Sequence, residues 1–229
     1  MPSQIAASRR NPAEQAILAQ AFLKTDLDVK NHPPVGAVQH FVADREICSE
    51  GSNADYFYKV VSGVVRTCKF LSDGRRQIDA FHVAGEIFGF ESGSDYRLSA
   101  EAVSDCTVIA YRKNKQDLFA GNDALLSREL LSFAMRGMAR AQDHSLLLGR
   151  RSAVEKVVAF LLDWAEKSGD QKTISLAMSR QDIADYLGLT IETVSRTLSQ
   201  LERDAMIALP SARQIRLRNL DALQDLSCC

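Results

Sequence analysis

The spacing of hydrophobic and polar positions changes along the 229-residue chain. From Val35 to about Tyr111, short apolar runs alternate with turn residues, a pattern typical of strands. The predicted strands are 37–42, 45–48, 56–70, 76–82, 87–90 and 99–111, with a turn signal at Ser62-Gly63. Asp73-Gly74 between two such runs is a strong hairpin signal. Many short strands at even spacing favour a small antiparallel barrel or roll.

The spacing becomes helical from about Lys115 onward. Residues 122–149 contain no proline, and small or apolar residues recur at steps of three and four. These residues are Leu130, Phe133, Ala134, Gly137, Met138, Ala141, His144 and Leu148. The pattern predicts an amphipathic helix of about 28 residues, ~40 Å long. Such a helix between two compact domains usually packs against its symmetry mate, so we expect a homodimer; packing within one subunit is the alternative.

Residues 179–203, SRQDIADYLGLTIETVSRTLSQLER, predict a helix, a turn at Gly188 and a second helix capped by Thr190. Val194, Leu198 and Leu201 share an apolar side of the second helix. Its opposite side carries Glu192, Ser195, Arg196 and Ser199. A helix that lies in a DNA major groove needs one side for a core and one for hydrogen bonds. An ordinary helical hairpin with a solvated side is the alternative.

The flanking segments complete a predicted C-terminal domain. Ser152 caps a helix that runs through Lys167 and ends at Gly169. Residues 207–209 and 214–217 predict a hairpin with Arg213 at its tip, followed by a helix from Leu220 to Leu226. The fold class is therefore α+β: an antiparallel β-roll, a long dimerisation helix and a winged helix-turn-helix. The expected boundaries are 1–34 (lead-in with a short helix), 35–120, 121–149 and 150–229.

Composition changes this picture only in part. The net charge is −1, yet residues 203–218 carry four arginines against one aspartate, so positive charge is available for DNA phosphates. No apolar run approaches the ~20 residues that span a bilayer, and the N-terminus has no apolar signal core. We therefore expect a cytoplasmic protein without membrane contact. Phosphate-binding, zinc-protease and serine-hydrolase motifs are absent, so we expect no enzyme.

The five cysteines are Cys48, Cys68, Cys106, Cys228 and Cys229. None forms a C-x-x-C pair, and no zinc-ligand spacing is present. The first three stand in strand-like stretches, where we expect small core residues. The adjacent C-terminal pair leaves a redox role open.

The order of parts resembles the CRP/FNR family of bacterial transcription regulators over roughly residues 35–226. The resemblance rests on residues 50–90, EGSNADYFYKVVSGVVRTCKFLSDGRRQIDAFHVAGEIFGF, and on residues 178–202, MSRQDIADYLGLTIETVSRTLSQLE. The second motif is similar to the FNR/FixK branch, which implies that Glu192, Ser195 and Arg196 read a TTGAT-type half-site in double-stranded DNA. A glutamate accepts from a cytosine amine, an arginine donates to guanine, and a serine can face thymine. The expected contacts to the DNA backbone come from Thr190, Thr193, Ser199, Arg180 and Arg213.

The family's ligand sites look incomplete in this chain. Phe90 stands where cyclic-nucleotide binders carry a ribose-binding glutamate, and Leu98 stands where they carry serine or threonine. A buried ribose hydroxyl left unpaired costs about 1–3 kcal/mol, so we expect no cyclic nucleotide. Residues 1–47 contain no cysteine, which argues against the iron–sulfur cluster of the FNR subfamily. We expect no cofactor, although four histidines leave haem open.

These gaps resemble the FixK-like members of the family. The resemblance implies an effector-free activator that contacts RNA polymerase and controls genes of microaerobic respiration and nitrogen fixation. The expected polymerase contacts are exposed loops at 73–76 and around Asn114, Lys115 and Asp117. Alternatives are a regulator of the same family gated by a cyclic nucleotide or another ligand, a repressor at the same DNA site, and an enzyme with a cyclic-nucleotide module.

Overall fold

The structure is a computed structural model that describes residues 36–113, 124–150, 152–170 and 172–227, with side chains over 131–149 of the long helix. Three predictions lie outside the described residues. They concern the short helix within 1–34, the loop at Asn114, Lys115 and Asp117, and the Cys228-Cys229 pair.

Eight strands form an antiparallel roll of two four-stranded sheets. The strands are β1 (Gly36–Phe41), β2 (Glu46–Cys48), β3 (Tyr56–Ser62), β4 (Val65–Phe70), β5 (Arg76–His82), β6 (Ile87–Phe88), β7 (Ser99–Ala102) and β8 (Cys106–Arg112). The first sheet has the order β1-β8-β3-β6 and the second β2-β7-β4-β5. Their apolar sides enclose a core around Val60, Val65 and Val108. The predicted roll is confirmed.

Two predicted strands are each divided by a turn. The run 56–70 breaks at Gly63, whose φ is +80° and where a Cβ would overlap the carbonyl oxygen of Asp105. The turn signal at Ser62-Gly63 marks this break. The prediction of one strand over 99–111 was wrong because residues 103–105 form a second turn. There the Ser104 hydroxyl accepts a hydrogen bond from the Val64 amide at 3.1 Å, a long-range contact that apolar periodicity does not reveal.

The three cysteines of the roll are buried, as predicted. Burial raises the pKa of the Cys48 thiol to about 12 and those of Cys68 and Cys106 to about 11. Thiols with such pKa values stay protonated near neutral pH and are poor nucleophiles. These cysteines therefore act as small packing residues.

The long helix α1 (Ala124–Arg150) has 27 residues, close to the prediction. Its described inner side packs on the rest of the chain through Leu147, which is 9% exposed. Its outer side carries exposed large apolar residues, which are Leu131, Met135, Met138 and Leu146. The predicted apolar stripe mixed the two sides, since it included half-buried His144 and missed three of the four exposed residues.

Seven further elements form the C-terminal domain. They are α2 (Ala153–Ser168), β9 (Thr173–Ser175), α3 (Arg180–Leu187), α4 (Ile191–Arg203), β10 (Ile207–Ser211), β11 (Gln214–Leu217) and α5 (Leu220–Ser227). The predicted caps of α2 are confirmed: Ser152 forms a capping box with Glu155, and Gly169 is left-handed with φ +73°. The sheet order is β10-β11-β9. Strand β9 was missed because three residues are too few to show a period.

The roll and the C-terminal domain share one apolar core. Phe81 of β5 lies 6.1 Å from the ring of Trp164 on α2 and 5.5 Å from that of Tyr186 on α3. The same cluster includes Ile78 of the roll and Leu187 of α3. Strand β5 is thus the part of the roll on which the helix-turn-helix rests.

Candidate DNA-binding surface

The turn between α3 and α4 is built by local chemistry. Gly188 ends α3 in the left-handed conformation, with φ +62°. Thr190 caps α4, because its hydroxyl oxygen accepts a hydrogen bond from the Thr193 amide at 3.2 Å. Ala184, with no exposed surface, lets the two helices approach closely. The predicted helix-turn-helix is present in these described residues.

The inner side of α4 is apolar and buried. Val194, Leu198 and Leu201 are each at most 2% exposed, as predicted. Thr197 is also buried, at 5% exposed, although the sequence pattern did not mark it. This packing fixes the rotation of α4 about its own axis, so the opposite side must face outward.

The outer side of α4 presents the predicted base-reading groups. Glu192, Arg196 and Ser199 are exposed, and Ser195 is half-buried. A shallow depression of about 340 Å³ is lined by Ser195, Arg196, Ser199 and Arg203. An acid, hydroxyls and guanidinium groups therefore share one accessible surface, which matches the hydrogen-bonding needs of base edges and phosphates.

Glu192 remains ionised near neutral pH. Its own backbone amide, the Thr190 hydroxyl and the charge of Arg196 lower the pKa of this carboxyl below its usual value. An ionised carboxylate can only accept hydrogen bonds. In a DNA major groove, the cytosine amine is the usual donor to a carboxylate.

Arg180 joins this surface from the preceding helix. Its Nη1 donates a hydrogen bond to Ser195 Oγ at 3.3 Å. The sequence suggested Arg180 for a phosphate and Ser195 for a base, but it gave no sign that they touch. Residues 15 positions apart on different helices meet only through the crossing of α3 and α4.

The wing carries Arg213 at its tip. Arg213 lies exposed in the turn between β10 and β11. Its carbonyl oxygen accepts a hydrogen bond from the Leu176 amide at 2.8 Å, which ties the wing tip to the segment after β9. Thr193 is half-buried at the start of α4, and Arg216 and Arg218 are exposed. The positive charge that the sequence suggested is thus available on the surface.

Arg76, which was expected on the surface, lies between the roll and α3. The loop at 73–76 was expected to be exposed, and Arg75 is, with 77% of its side chain accessible. Arg76 is only 17% accessible and pairs with Asp182 and Asp185 of α3. The expectation was wrong for Arg76 because the helix-turn-helix covers the beginning of β5, where Arg76 lies.

The residues at the family's ligand positions in the roll contact other protein groups. The ring of Phe90 lies 5.5 Å from that of Phe57 in an edge-on arrangement. Arg97 points outward, is 84% exposed and donates to Glu91 at 3.0 Å. Tyr96 is 4% exposed, and its hydroxyl donates to the Tyr56 carbonyl at 2.7 Å. In this arrangement the Arg97 guanidinium does not face the interior of the roll.

The part of the chain that the structure describes has no candidate membrane span and no cluster of metal ligands. None of its helices is both long and apolar enough to cross a membrane. Within the same residues, no group of three or more histidine, cysteine, aspartate or glutamate side chains could hold a metal ion.

Known proteins resemble both halves of this chain. The Crp-like helix-turn-helix domain family matches residues 155–226, and the cyclic nucleotide-binding domain family matches residues 38–120. The nitrogen fixation regulation protein FixK of Azorhizobium caulinodans is 48% identical over 84% of this chain and 79% of its own length. Its counterpart in Rhizobium meliloti is 49% identical over 80% of this chain and 83% of its own length.

A solved structure agrees with these matches. FixK2 from Bradyrhizobium japonicum superposes with a TM-score of 0.81 at 45% identity, covering 85% of this chain and 98% of that one. Relatives and structural neighbours of this kind are transcription regulators rather than enzymes. The chain therefore belongs to the CRP/FNR family of DNA-binding transcription regulators and is FixK-like within that family.

Proposed function

We propose that this regulator binds DNA as a homodimer and reads a palindrome of the type TTGAT-N4-ATCAA. The outer side of α4 carries the proposal: an acid, a hydroxyl and a guanidinium are accessible on a helix whose opposite side is locked into the core. Glu192 would accept from a cytosine amine, Arg196 would donate to guanine, and Ser195 would face thymine. The hydroxyls and guanidinium groups around them suit phosphates. The groups assigned to phosphates are those of Thr190, Thr193, Ser199, Arg180 and Arg213.

The exposed outer side of α1 is the basis for proposing a second copy of the chain. This side exposes Leu131, Met135, Met138 and Leu146, each at least half accessible. A depression of about 550 Å³ runs along Met138, Ala141, Gln142, Ser145 and Leu146. Apolar residues at helical spacing on a 27-residue helix suit packing against an identical helix. Two copies related by a two-fold axis would present two α4 helices to two half-sites. In this proposal the chain divides near residues 35, 121 and 150 into a lead-in, the roll, the dimerisation helix and the DNA-binding domain.

We propose that no cyclic nucleotide is needed for DNA binding. Phe90 brings no hydrogen-bonding group for a ribose, and Arg97 is held on the surface by Glu91. The alternative is a ligand-gated regulator, which the match of residues 38–120 to the cyclic nucleotide-binding domain family favours. That alternative requires Arg97 to leave Glu91 and turn into the roll.

We propose activation of genes for nitrogen fixation and microaerobic respiration, because the named relatives are nitrogen fixation regulators. An activator needs a surface for RNA polymerase. The exposed turn at Asp73 and Arg75 supplies one candidate contact in the described residues.

The test is a binding titration with a labelled TTGAT-N4-ATCAA duplex, first without effector and then with cyclic AMP. Tight effector-free binding by a dimer, with scrambled half-sites bound at least 1,000-fold more weakly, is expected for a specific regulator. Binding that appears only with the nucleotide would support the ligand-gated alternative. Binding of the scrambled duplex as tightly as of the palindrome would remove the proposed recognition.

A further inference from the structure

A polar network joins the roll to the first helix of the helix-turn-helix. Arg66 on β4 donates through Nε to Glu101 Oε2 at 2.7 Å and through Nη1 to Asp182 Oδ1 at 3.3 Å. Only 9% of its side chain and 7% of that of Asp182 are accessible. The two residues are 116 positions apart, so this contact exists only because the two domains dock.

Arg76 on β5 makes the second connection. Its Nε donates to Asp185 Oδ2 at 2.9 Å, and its Nη2 lies 2.5 Å from Asp182 Oδ1 and 2.8 Å from Asp185 Oδ2. Asp182 and Asp185 stand one turn apart on the same side of α3. The planar fork of the guanidinium thus bridges two successive turns of the helix, a geometry that a lysine cannot reproduce.

Asp182 and Asp185 each use one carboxylate oxygen within α3 or its cap and the other toward the roll. Asp182 Oδ2 accepts from the Ser179 amide at 2.9 Å and from its hydroxyl at 2.7 Å, which caps α3. Asp185 Oδ1 accepts from Gln181 Nε2 at 2.6 Å within the same helix. The remaining oxygens face Arg66 and Arg76. Asp182 therefore serves both the local cap of α3 and its docking on the roll, while Asp185 adds a second docking contact.

We propose that Arg66 and Arg76 are positioning residues for DNA binding, which set the orientation of α4 by holding α3 through Asp182 and Asp185. Helix α4 follows α3 because Ala184, Leu187 and Leu198 are buried between them or in the same core. The network is more specific than the apolar contacts beside it, because charged hydrogen bonds have fixed directions. Phe81 and Tyr186 keep the domains in contact when the network is cut, so its loss would widen the range of orientations without detaching the domain.

The expected effect is a loss of binding-competent orientations. If the correct orientation falls to about one tenth of the population, the apparent Kd for specific DNA rises about tenfold. If these residues affected DNA affinity only through their charge, the expected result would differ. Removing a positive charge weakens DNA binding, whereas removing a negative charge strengthens it. A positioning role predicts weaker binding in both cases.

The experiment compares Arg76→Gln, Asp185→Asn and the double variant in the full-length protein. The probe is the duplex that the wild type selects from a random pool, measured by fluorescence anisotropy well below each variant's unfolding midpoint. We expect each single variant to lose about tenfold in affinity and the double variant to lose no more than Arg76→Gln, since that variant already removes the contact with Asp185. The matched control is the exposed pair Lys69 and Glu50, 2.7 Å apart, changed to Lys69→Gln and Glu50→Gln. These control variants should stay within about twofold of the wild type.

Tighter binding by Asp185→Asn, or wild-type affinity in Arg76→Gln, would overturn the positioning role. Arg76→Lys gives a second measurement. It keeps the charge but not the fork, so we expect it to bind about as weakly as Arg76→Gln. The inference rests on DNA binding rather than on the particular palindrome. If the selected duplex is not TTGAT-N4-ATCAA, the proposed recognition fails, while the comparison of Arg76 and Asp185 still decides the positioning role.

Discussion

Replacing Arg196 by alanine tests whether α4 reads bases. The side chain is exposed on the outer side of α4, while the buried contacts of Val194 and Leu198 lie on the other side. Surface substitutions of this kind change the free energy of unfolding by no more than about 0.5 kcal/mol. The lost base contact costs about 1–3 kcal/mol per half-site. Over two half-sites of a dimer the binding free energy changes by about 2–6 kcal/mol, which is roughly 30-fold to 20,000-fold in Kd.

The assay is a panel of duplexes in which the position assigned to guanine is changed to each other base. The wild type should discriminate among them, whereas Arg196→Ala should bind them almost equally. Arg213→Ala is the matched control, because a phosphate contact carries no base information and its loss weakens all duplexes similarly. Unchanged discrimination in Arg196→Ala would show that α4 does not read this base pair.

Three further predictions concern the core, the dimer and the buried histidine. Leu198→Ala removes a side chain that is 2% exposed, so urea unfolding should show a loss of about 2–5 kcal/mol in stability. Met138→Glu places a charge in the exposed apolar stripe of α1, so sedimentation should show monomers, whereas we expect a dimer for the wild type. Burial lowers the pKa of His82 from 6.5 to about 3, with help from the charges of Arg140 and Lys167. Between these two pH values the unfolded chain binds a proton that the folded chain does not, so stability should fall by up to about 1.4 kcal/mol per pH unit as pH drops below 6.5. The pH dependence of urea unfolding should be flatter in His82→Gln.

Each of these predictions has a result that contradicts it. Wild-type stability in Leu198→Ala would mean that α4 does not pack on this side. A dimer that survives Met138→Glu would place the interface elsewhere, and Ser132→Glu, at an exposed position of the same helix outside the depression that Met138 lines, controls for added charge alone. If His82→Gln and the wild type lose stability equally between pH 6.5 and 4, another group binds the proton.

The helix-turn-helix could be predicted from sequence because its determinants are local. A cap at Thr190, a left-handed residue at Gly188 and apolar residues at steps of three and four specify two helices and the rotation of the second. The proposed base readers follow from that rotation, since they lie opposite buried positions. The same applies to the hairpin at Asp73-Gly74, where Gly74 has φ +84°.

Predictions failed where a contact joins distant parts of the chain. The break at 103–105 depends on Ser104 reaching the Val64 amide, and strand β9 exists because β11 offers it a partner. On α1, periodicity did not separate the side that packs within the subunit from the exposed side, because both carry apolar residues. A period identifies a helix, but only its surroundings determine which side is buried.

The sequence by itself determined the helices, the caps at Ser152, Gly188 and Thr190, and which side chains α4 turns outward, because these depend on neighbours within about four residues. Only the tertiary structure decided that Arg76 leaves the surface to meet Asp182 and Asp185, and that Arg180 meets Ser195. Those pairs depend on how β5, α3 and α4 dock. Docking is a property of the whole apolar core rather than of any one segment.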